Sequence, residues 1–186
     1  MAANQRQHRE RGHLPKAGWS QWETAMVPWI PGVPGLFVAT GVPVLAVGFE
    51  RRGRNQAGFI LSSIRNAFPL LAGHCGIYEW QARGKLPRQP NHVVYVESTC
   101  RAKQGALRGR ILEYCTNGSH KEGLINDALR KGYELRVRVQ IVEGSKPSRE
   151  DAEAMENALL NKYDYAWNTR INGQIRNILP QCQQSY

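Results

Sequence analysis

The strongest constraint on the fold is a regular alternation of apolar and polar residues over positions 133–142. Its apolar members are Leu135, Val137, Val139 and Ile141, and its polar members are Arg136, Arg138 and Gln140. Because successive side chains of a strand point to opposite faces of a sheet, the pattern predicts a half-buried strand with two arginines facing outward. A chain with such a strand must provide neighbouring strands and a layer that covers the apolar face.

Residues 71–133 supply partners for that strand. Strands are predicted over residues 76–80 and 92–99, joined by a basic loop over residues 81–91. A helix is predicted over residues 102–114, with Ala106, Leu107, Ile111 and Tyr114 on one side. Ser119 and Glu122 have the spacing of a capping box, which predicts a second helix that ends at Gly132. The inward residues of that helix would be Leu124, Ile125, Ala128 and Leu129.

A final helix is predicted to begin at Ser148 and Asp151. Its buried stripe would be Ala152, Met155, Leu159 and Tyr163, which leaves Glu156 one residue off the stripe, at its edge. The element order is then strand, strand, helix, helix, strand, helix. This order predicts an α+β fold, a small mostly antiparallel sheet with helices packed against it.

Residues 1–70 have a different composition and are predicted to be an extension rich in Pro, Gly and Trp, while residues 71–186 form the main domain. Within the extension, residues 36–40 and 42–48 are candidate buried strands. Trp19, Trp22 and Trp29 are interpreted as anchors that pack the extension on the main domain, with an aromatic surface for bases as the alternative.

Residues 24–49 carry no charge and are long enough to cross a bilayer as a helix. Prolines and glycines recur through the stretch and would break its backbone hydrogen bonding, so no membrane span is expected. Residues 1–16 lack the apolar core of a signal peptide, which favours an intracellular protein. The 4 cysteines are too widely spaced for paired zinc ligands, and reduced thiols are expected.

The charge balance indicates the kind of partner. Among 186 residues, 25 Lys and Arg against 15 Asp and Glu leave a net charge of +10, while a hydrophobic content of 41% excludes wholesale disorder. A basic protein favours polyanions because each neutralised phosphate releases counterions. Nucleic acid is therefore the expected partner, although basicity fixes only the sign of the partner's charge.

Several short motifs fall in a recognisable order. Residues 76–78 read GIY, residues 94–96 read VYV and are followed by Glu97, residues 107–111 read LRGRI, and residues 156–160 read ENALL, with Asn168 further on. Together they resemble the GIY-YIG endonuclease superfamily, with Glu97 in place of the glycine of the second signature. More narrowly, residues 114–120, 124–133 and 163–168 resemble the nuclease-like domain of the plant EFFECTOR OF TRANSCRIPTION proteins, whose cysteine-rich repeats are missing here.

The resemblance implies a role for each motif residue. Glu156 would hold Mg²⁺ or Mn²⁺, and Arg110 would clamp the scissile phosphate, with Arg108 as its competitor. Tyr78 would act as the base or position the attacking water, with Tyr95 orienting it. A base role requires a lowered tyrosine pKa. The alternatives are an exposed helix glutamate, a solvated arginine and two aromatic residues that only pack the sheet.

Further residues are expected around this centre. His120 is a second candidate proton carrier, or else only a residue of the first helical turn. The expected DNA contacts are Arg83, Lys85, Arg88, Arg108, Lys121 and Asn168. Glu97 brings a negative charge toward the phosphate path, where it would weaken DNA binding or add a metal ligand, and Ser98 stands where repair-type members have lysine.

These features predict a metal-dependent DNA endonuclease that nicks single strands, since a small monomer presents one catalytic centre. The resemblance to the plant proteins implies a nuclear role in transcription regulation or DNA modification. Mg²⁺ or Mn²⁺ is the expected cofactor, without a small-molecule cofactor. The alternatives are a catalytically weak or inactive DNA-binding module on a nuclease fold and, third, a membrane-associated basic protein that uses residues 24–49.

Overall fold

The computed structural model describes residues 7–8, 18–26, 75–84, 89–101, 106–115, 119–143 and 146–180. The elements in chain order are β1 (Gln7–His8), β2 (Glu23–Met26), β3 (Cys75–Gly84), β4 (His92–Cys100), α1 (Ala106–Cys115), α2 (Glu122–Arg130), β5 (Tyr133–Ile141), α3 (Arg149–Lys162) and β6 (Tyr163–Asp164). The strands expected over residues 36–40 and 42–48, and the residues Trp29, Lys85 and Arg88, lie outside the described residues.

A four-stranded antiparallel sheet in the order β2-β5-β3-β4 positions the rest of the molecule, and β1 pairs separately with β6 in parallel. The α+β class predicted from the sequence is confirmed. β3 continues to Gly84, into residues expected to form a loop. β2 extends the sheet beyond β5, so part of the N-terminal extension packs on the main domain. The domain boundary near residue 70 stays a prediction.

One face of the sheet holds the main apolar core. Tyr78 and Trp80 on β3 lie opposite Val139 and Val137 on β5, and all four side chains are buried. The helices α1 and α2 cover this face with the residues that the helical pattern predicted, namely Leu107, Ile111, Tyr114, Ile125, Ala128 and Leu129. α2 begins at Glu122, with Lys121 as its N-cap residue, two residues after the predicted cap Ser119, and the Glu122 N–H donates to the Ser119 carbonyl at 3.0 Å.

The opposite face of the sheet is also covered, which corrects the expectation that Arg138 faces outward. Arg138 is 6% exposed and pairs with the fully buried Glu79. Its guanidinium lies 4.5 Å from the ring centroid of Trp19 and 4.6 Å from that of Trp22. The alternating pattern could not show this cover, because it comes from distant residues 19–22. Arg136 is only partly exposed and donates to the Trp22 carbonyl at 2.7 Å.

The final helix α3 begins with the predicted capping box of Ser148 and Asp151. Its buried residues are Ala152, Glu156 and Leu160, whereas Met155 and Leu159 are only half-buried. The predicted stripe is therefore confirmed at Ala152 and Tyr163, and it is wrong by one position at Met155 and Leu159, whose neighbours Glu156 and Leu160 are buried instead. Glu156 lies in the middle of the face that packs on β4 and not at its edge.

Gly76 allows a close approach between β3 and β5. A Cβ built on Gly76 would lie 2.6 Å from the backbone oxygen of Gln140 and 3.3 Å from the Cα of Ile141. Backbone atoms cannot move aside as a flexible side chain does, so any larger residue would push the two strands apart.

Cys75 and Cys100 lie opposite each other on β3 and β4, with Cα atoms 4.0 Å apart, and form a disulfide. The expectation of reduced thiols is wrong for this pair, because strand register brings together two cysteines that are distant in sequence. Cys115 is free and buried. In the described part of the chain, no helix combines the length and apolarity that a bilayer crossing needs.

Candidate active site

Three tyrosines converge on the face of the sheet that α1 covers. Tyr78 comes from β3, Tyr95 from β4 and Tyr114 from α1. The Tyr114 hydroxyl lies 3.3 Å from those of both Tyr78 and Tyr95, and Nε2 of His120 lies 3.0 Å from the Tyr95 hydroxyl. The strands β3 and β4 fix the positions of Tyr78 and Tyr95, and His120 lies in the turn before α2. The result is a hydrogen-bonded cluster of three buried phenols that ends at an exposed imidazole.

Glu97 places a carboxylate inside this cluster. It lies directly opposite Tyr78 in the β3–β4 register, and its Oε2 accepts hydrogen bonds from Tyr78 and Tyr114. Arg110 donates through Nη2 to Oε1 and Oε2 of Glu97 at 2.9 and 3.1 Å. The residue that replaces the motif glycine therefore forms an ion pair with the predicted phosphate clamp.

Arg110 is held on every nitrogen of its guanidinium. Nε donates to the Tyr78 hydroxyl at 3.3 Å, and Nη1 donates to Glu113 at 2.6 Å, one helical turn away. Nη2 reaches Glu97 and also the Tyr114 hydroxyl at 3.4 Å. Arg108 lies half exposed on the same helix, and Arg110 makes the contacts to Tyr78 and Glu97.

The electrostatics of the cluster keep the tyrosines protonated. Burial raises the pKa of Tyr78 well above 10.0, and the nearby Glu97 charge raises it further. Burial and neighbouring groups raise the pKa values of Tyr95 and Tyr114 as well. The lowered tyrosine pKa that a base role for Tyr78 requires is therefore not met. Protonated hydroxyls are hydrogen-bond donors, and those of Tyr78 and Tyr114 already donate to Glu97.

The Glu97–Arg110 pair stays ionised at neutral pH. Burial alone would raise the pKa of Glu97, but hydrogen bonds from Arg110, Tyr114 and Tyr78 outweigh it and lower the pKa below 4.5. Burial likewise opposes the charge of Arg110, but its hydrogen bonds to Glu97 and Glu113 outweigh burial and raise its pKa above the usual range of arginine. An incoming phosphate must therefore compete with a permanent carboxylate for Arg110.

His120 is the member of the cluster best suited to accept a proton. Partial desolvation of its ring lowers the pKa of His120 below 6.5, opposed by the Glu97 charge, so the neutral imidazole predominates at pH 7. The neighbouring Lys121 is buried, and its Nζ donates to the Trp167 carbonyl at 2.7 Å and lies 4.9 Å from the centroid of the Tyr95 ring. Burial also lowers the pKa of Lys121.

Glu156 is oriented by β4. Its Oε2 accepts from the backbone N–H of Ser98 at 3.0 Å and from the Ser98 hydroxyl at 2.5 Å, while Nη1 of Arg170 lies 3.7 Å from Oε1. Burial raises the pKa of Glu156, opposed by the Ser98 hydrogen bonds. A divalent cation would stabilise this disfavoured charge, and a single fixed carboxylate suits Mg²⁺ or Mn²⁺, which retain several waters. In the described part of the chain, no three His, Cys, Asp or Glu residues converge on a metal position.

A protein-family model for GIY-YIG domain-containing proteins matches residues 69–178. The chain belongs to the GIY-YIG domain family. The searches of curated proteins and of solved structures found no match. The family supports a nuclease-type fold, which confirms the superfamily assignment made from the motifs.

The structure gives the GIY-YIG motif residues local physical roles. Gly76 of the first signature is the close-approach glycine described above. Tyr78 and Tyr95 of the two signatures enter the hydroxyl cluster. Asn168 is buried, and its amide accepts from the Val96 N–H at 3.0 Å and donates to the Val96 carbonyl at 2.8 Å. Its amide is thus committed to β4, whereas Arg83 is 44% exposed and lies 3.6 Å from Glu134.

Three residues that contact the predicted site residues are not marked by the sequence motifs. Tyr114 was assigned to the helix core, although its position four residues after Arg110 places both on one face of α1. Glu113 follows Arg110 by three residues, a spacing that also places the two side chains on one face of α1. Arg170 had no local signal, because its approach to Glu156 depends on the course of the chain after α3.

Proposed function

We propose that the protein is a divalent-metal-dependent DNA endonuclease that nicks one strand of a duplex. The observation that carries the proposal is the hydrogen-bonded cluster of Tyr78, Tyr95, Tyr114 and Arg110, on a fold whose family consists generally of endonucleases. Glu156 binds Ser98, the neighbour of Glu97 on β4, and lies near enough for the Glu97 charge to raise its pKa. This proximity supports a metal-binding role for Glu156 beside the cluster.

Each side chain has a distinct task in this proposal. Arg110 binds the phosphoryl oxygens, since its planar fork matches phosphate geometry. The hydroxyls of Tyr78 and Tyr114 orient the attacking water, and His120, neutral at pH 7, takes up a proton through Tyr95. Glu156 would hold Mg²⁺ or Mn²⁺, which supplies Lewis-acid stabilisation of the developing charge.

Glu97 favours a second candidate function. Because Glu97 and Glu113 occupy Arg110, a phosphate gains this clamp only if Glu97 releases it. A chain that does not achieve this release would be a catalytically weak or inactive DNA-binding module on a nuclease fold. The two functions differ in turnover and share the basic surface.

The biological setting is part of the proposal. The residue runs that resemble the plant EFFECTOR OF TRANSCRIPTION proteins support a nuclear role in transcription regulation or DNA modification. The net charge of +10 supports DNA as the partner. The proposal includes a monomeric protein, whose single catalytic centre would nick one strand of a duplex.

Nicking of supercoiled plasmid with Mg²⁺ or Mn²⁺ tests the proposal, with EDTA as the metal-free control. Wild type should produce open circles, and Glu156→Gln and Arg110→Ala should each lose at least about 100-fold in rate. Glu153→Gln is the matched control, because Glu153 is exposed on the same helix and should cut like wild type. Plasmid binding without metal-dependent nicking would establish the binding module instead.

A further inference from the structure

The loop of residues 169–176 presents apolar side chains to solvent. Within the part of the chain that the structure describes, the exposed large hydrophobic residues are Ile171, 48% exposed, and Ile175, 42% exposed. Both belong to the sequence TRINGQIR. An exposed pair of isoleucines in one short loop is a candidate contact surface, whereas single scattered ones need no explanation.

Ile171 has an unfavourable backbone conformation. Its φ of 71° lies in the left-handed region, and Ile171 is the one non-glycine residue with positive φ in the described chain. For a β-branched residue this conformation is a genuine outlier, and such strain clusters at functional sites. Asn or Gly would adopt it more easily, so the isoleucine side chain is retained at a cost in stability.

The loop is held firmly in this conformation. Gly173 donates its N–H to the Thr169 carbonyl at 2.7 Å, and Asn172 donates its side-chain amide to the Tyr165 carbonyl at 2.6 Å. Arg176 donates its N–H to the Ala166 carbonyl at 2.8 Å and pairs with Asp164. These contacts fix the backbone on both sides of Ile171, so its side chain projects from a rigid support.

The loop begins beside the proposed centre. Arg170, whose side chain is 53% exposed, lies 3.7 Å from the Glu156 carboxylate, and Ile171 follows it directly. Residues 165–180 contain no Asp or Glu; of their two arginines, Arg176 pairs with Asp164, whereas Arg170 is more than half exposed. An apolar tip flanked by arginines is complementary to DNA, where phosphates border stacked bases.

We propose that the 169–176 loop is a DNA-distorting wedge, in which Ile171 inserts between base pairs next to the scissile phosphate while Arg170 contacts the backbone. The proposal rests on the proposed nuclease function and deepens it by assigning a duplex-deforming contact. Insertion of an apolar side chain unstacks a base step and bends the duplex. Cleavage would thereby favour steps that unstack easily, such as pyrimidine–purine steps.

A plasmid topology assay tests the wedge without knowledge of a target sequence. Relaxed plasmid is incubated with saturating protein in EDTA, treated with a metal-independent topoisomerase and resolved as topoisomers, since insertion unwinds the helix. Wild type and Ile171→Val should shift the distribution, and Ile171→Asn should abolish the shift and weaken binding about five- to tenfold. Ile171→Asn should also raise the Tm by about 2–4 °C, because asparagine relieves the backbone strain.

The outcomes separate the wedge from the nuclease. Equal topoisomer shifts for wild type and Ile171→Asn overturn the wedge, as does binding by wild type without any shift. A wild-type shift without metal-dependent nicking overturns the nuclease proposal and retains the wedge. Loss of the shift in an Ile171→Asn protein that is at least as stable as wild type supports the wedge, since misfolding cannot explain it.

Discussion

Glu97 determines how strongly Arg110 attracts an anion. Its carboxylate accepts from two tyrosines and from Arg110, and these contacts keep it ionised. A glycine at this position would leave Nη2 of Arg110 without its carboxylate partner, although Nη1 would still pair with Glu113. Glu97 thus adds a second negative charge beside Arg110.

Removal of the Glu97 charge should therefore strengthen DNA binding. We expect Glu97→Gln to bind duplex DNA about three- to tenfold more tightly than wild type in EDTA, measured by fluorescence anisotropy at fixed salt. Glu153→Gln changes the net charge equally at an exposed position and should alter binding much less. Weaker binding by Glu97→Gln would show that Glu97 positions Arg110 for DNA and does not occupy it.

His120 should set the acid limb of the pH profile. The groups around it are the Tyr95 hydroxyl, the Tyr114 ring, Lys121, Arg110 and Glu97. Because burial lowers the pKa of His120 below 6.5, the base form predominates at neutral pH. The nicking rate should rise with pH through a midpoint below 6.5 and then level off.

The control for this pH dependence is His120→Gln, which retains a hydrogen-bonding side chain. This variant should nick at least about 100-fold more slowly, and its rate should not show the rise with pH that His120 produces in wild type. A limb that persists in His120→Gln would assign the titration to another group.

At the scale of elements, the contact between β3 and β5 depends on Gly76. We expect Gly76→Ala to lower the free energy of unfolding by about 1–3 kcal/mol, because the added methyl meets the Gln140 carbonyl at 2.6 Å. Gly109→Ala is the matched control: its Cβ meets nothing within 4 Å inside a helix, so it should stabilise by about 0.5–1 kcal/mol. Urea denaturation measures both, and a neutral Gly76→Ala would contradict the steric argument.

The elements were largely predictable from the sequence, and their packing partners were not. The spacing of apolar residues located α1, α2 and β5, because the residues that a helix or strand buries recur with that element's own period. It misplaced the stripe of α3 because Glu156, a charged residue, occupies a buried position that Ser98 satisfies. The outward assignment of Arg138 failed for a similar reason, since Glu79 and two tryptophans compensate its burial.

In the candidate site, too, the residues were predictable from the sequence and their contacts were not. Its motif residues were found one by one, whereas the Glu97–Arg110 pair needed the strand register and the position of α1. The Cys75–Cys100 bond likewise followed only from register.

At the scale of the whole molecule, Arg138 connects segments that are far apart in the chain. It lies against Trp19 and Trp22 and pairs with Glu79, which also accepts from Tyr165. Arg138→Gln leaves the buried Glu79 charge uncompensated, so we expect a loss of about 3–5 kcal/mol in unfolding free energy by chemical denaturation. The double variant Glu79→Leu with Arg138→Met should recover much of it. No recovery would place the stabilisation in the tryptophan contacts.

Backbone groups on the outer side of β4 are bonded within the chain. β4 is the last strand of the sheet, and such a strand offers free backbone groups on which another chain can pair. Here Trp167 binds the Val94 carbonyl, Asn168 binds both groups of Val96, and Glu156 accepts from the Ser98 N–H. Glu156, the proposed metal ligand, therefore also occupies a backbone N–H of β4 with which a strand of another chain could pair. A Glu156→Ala protein would free that N–H and risk aggregation, whereas glutamine keeps an acceptor there.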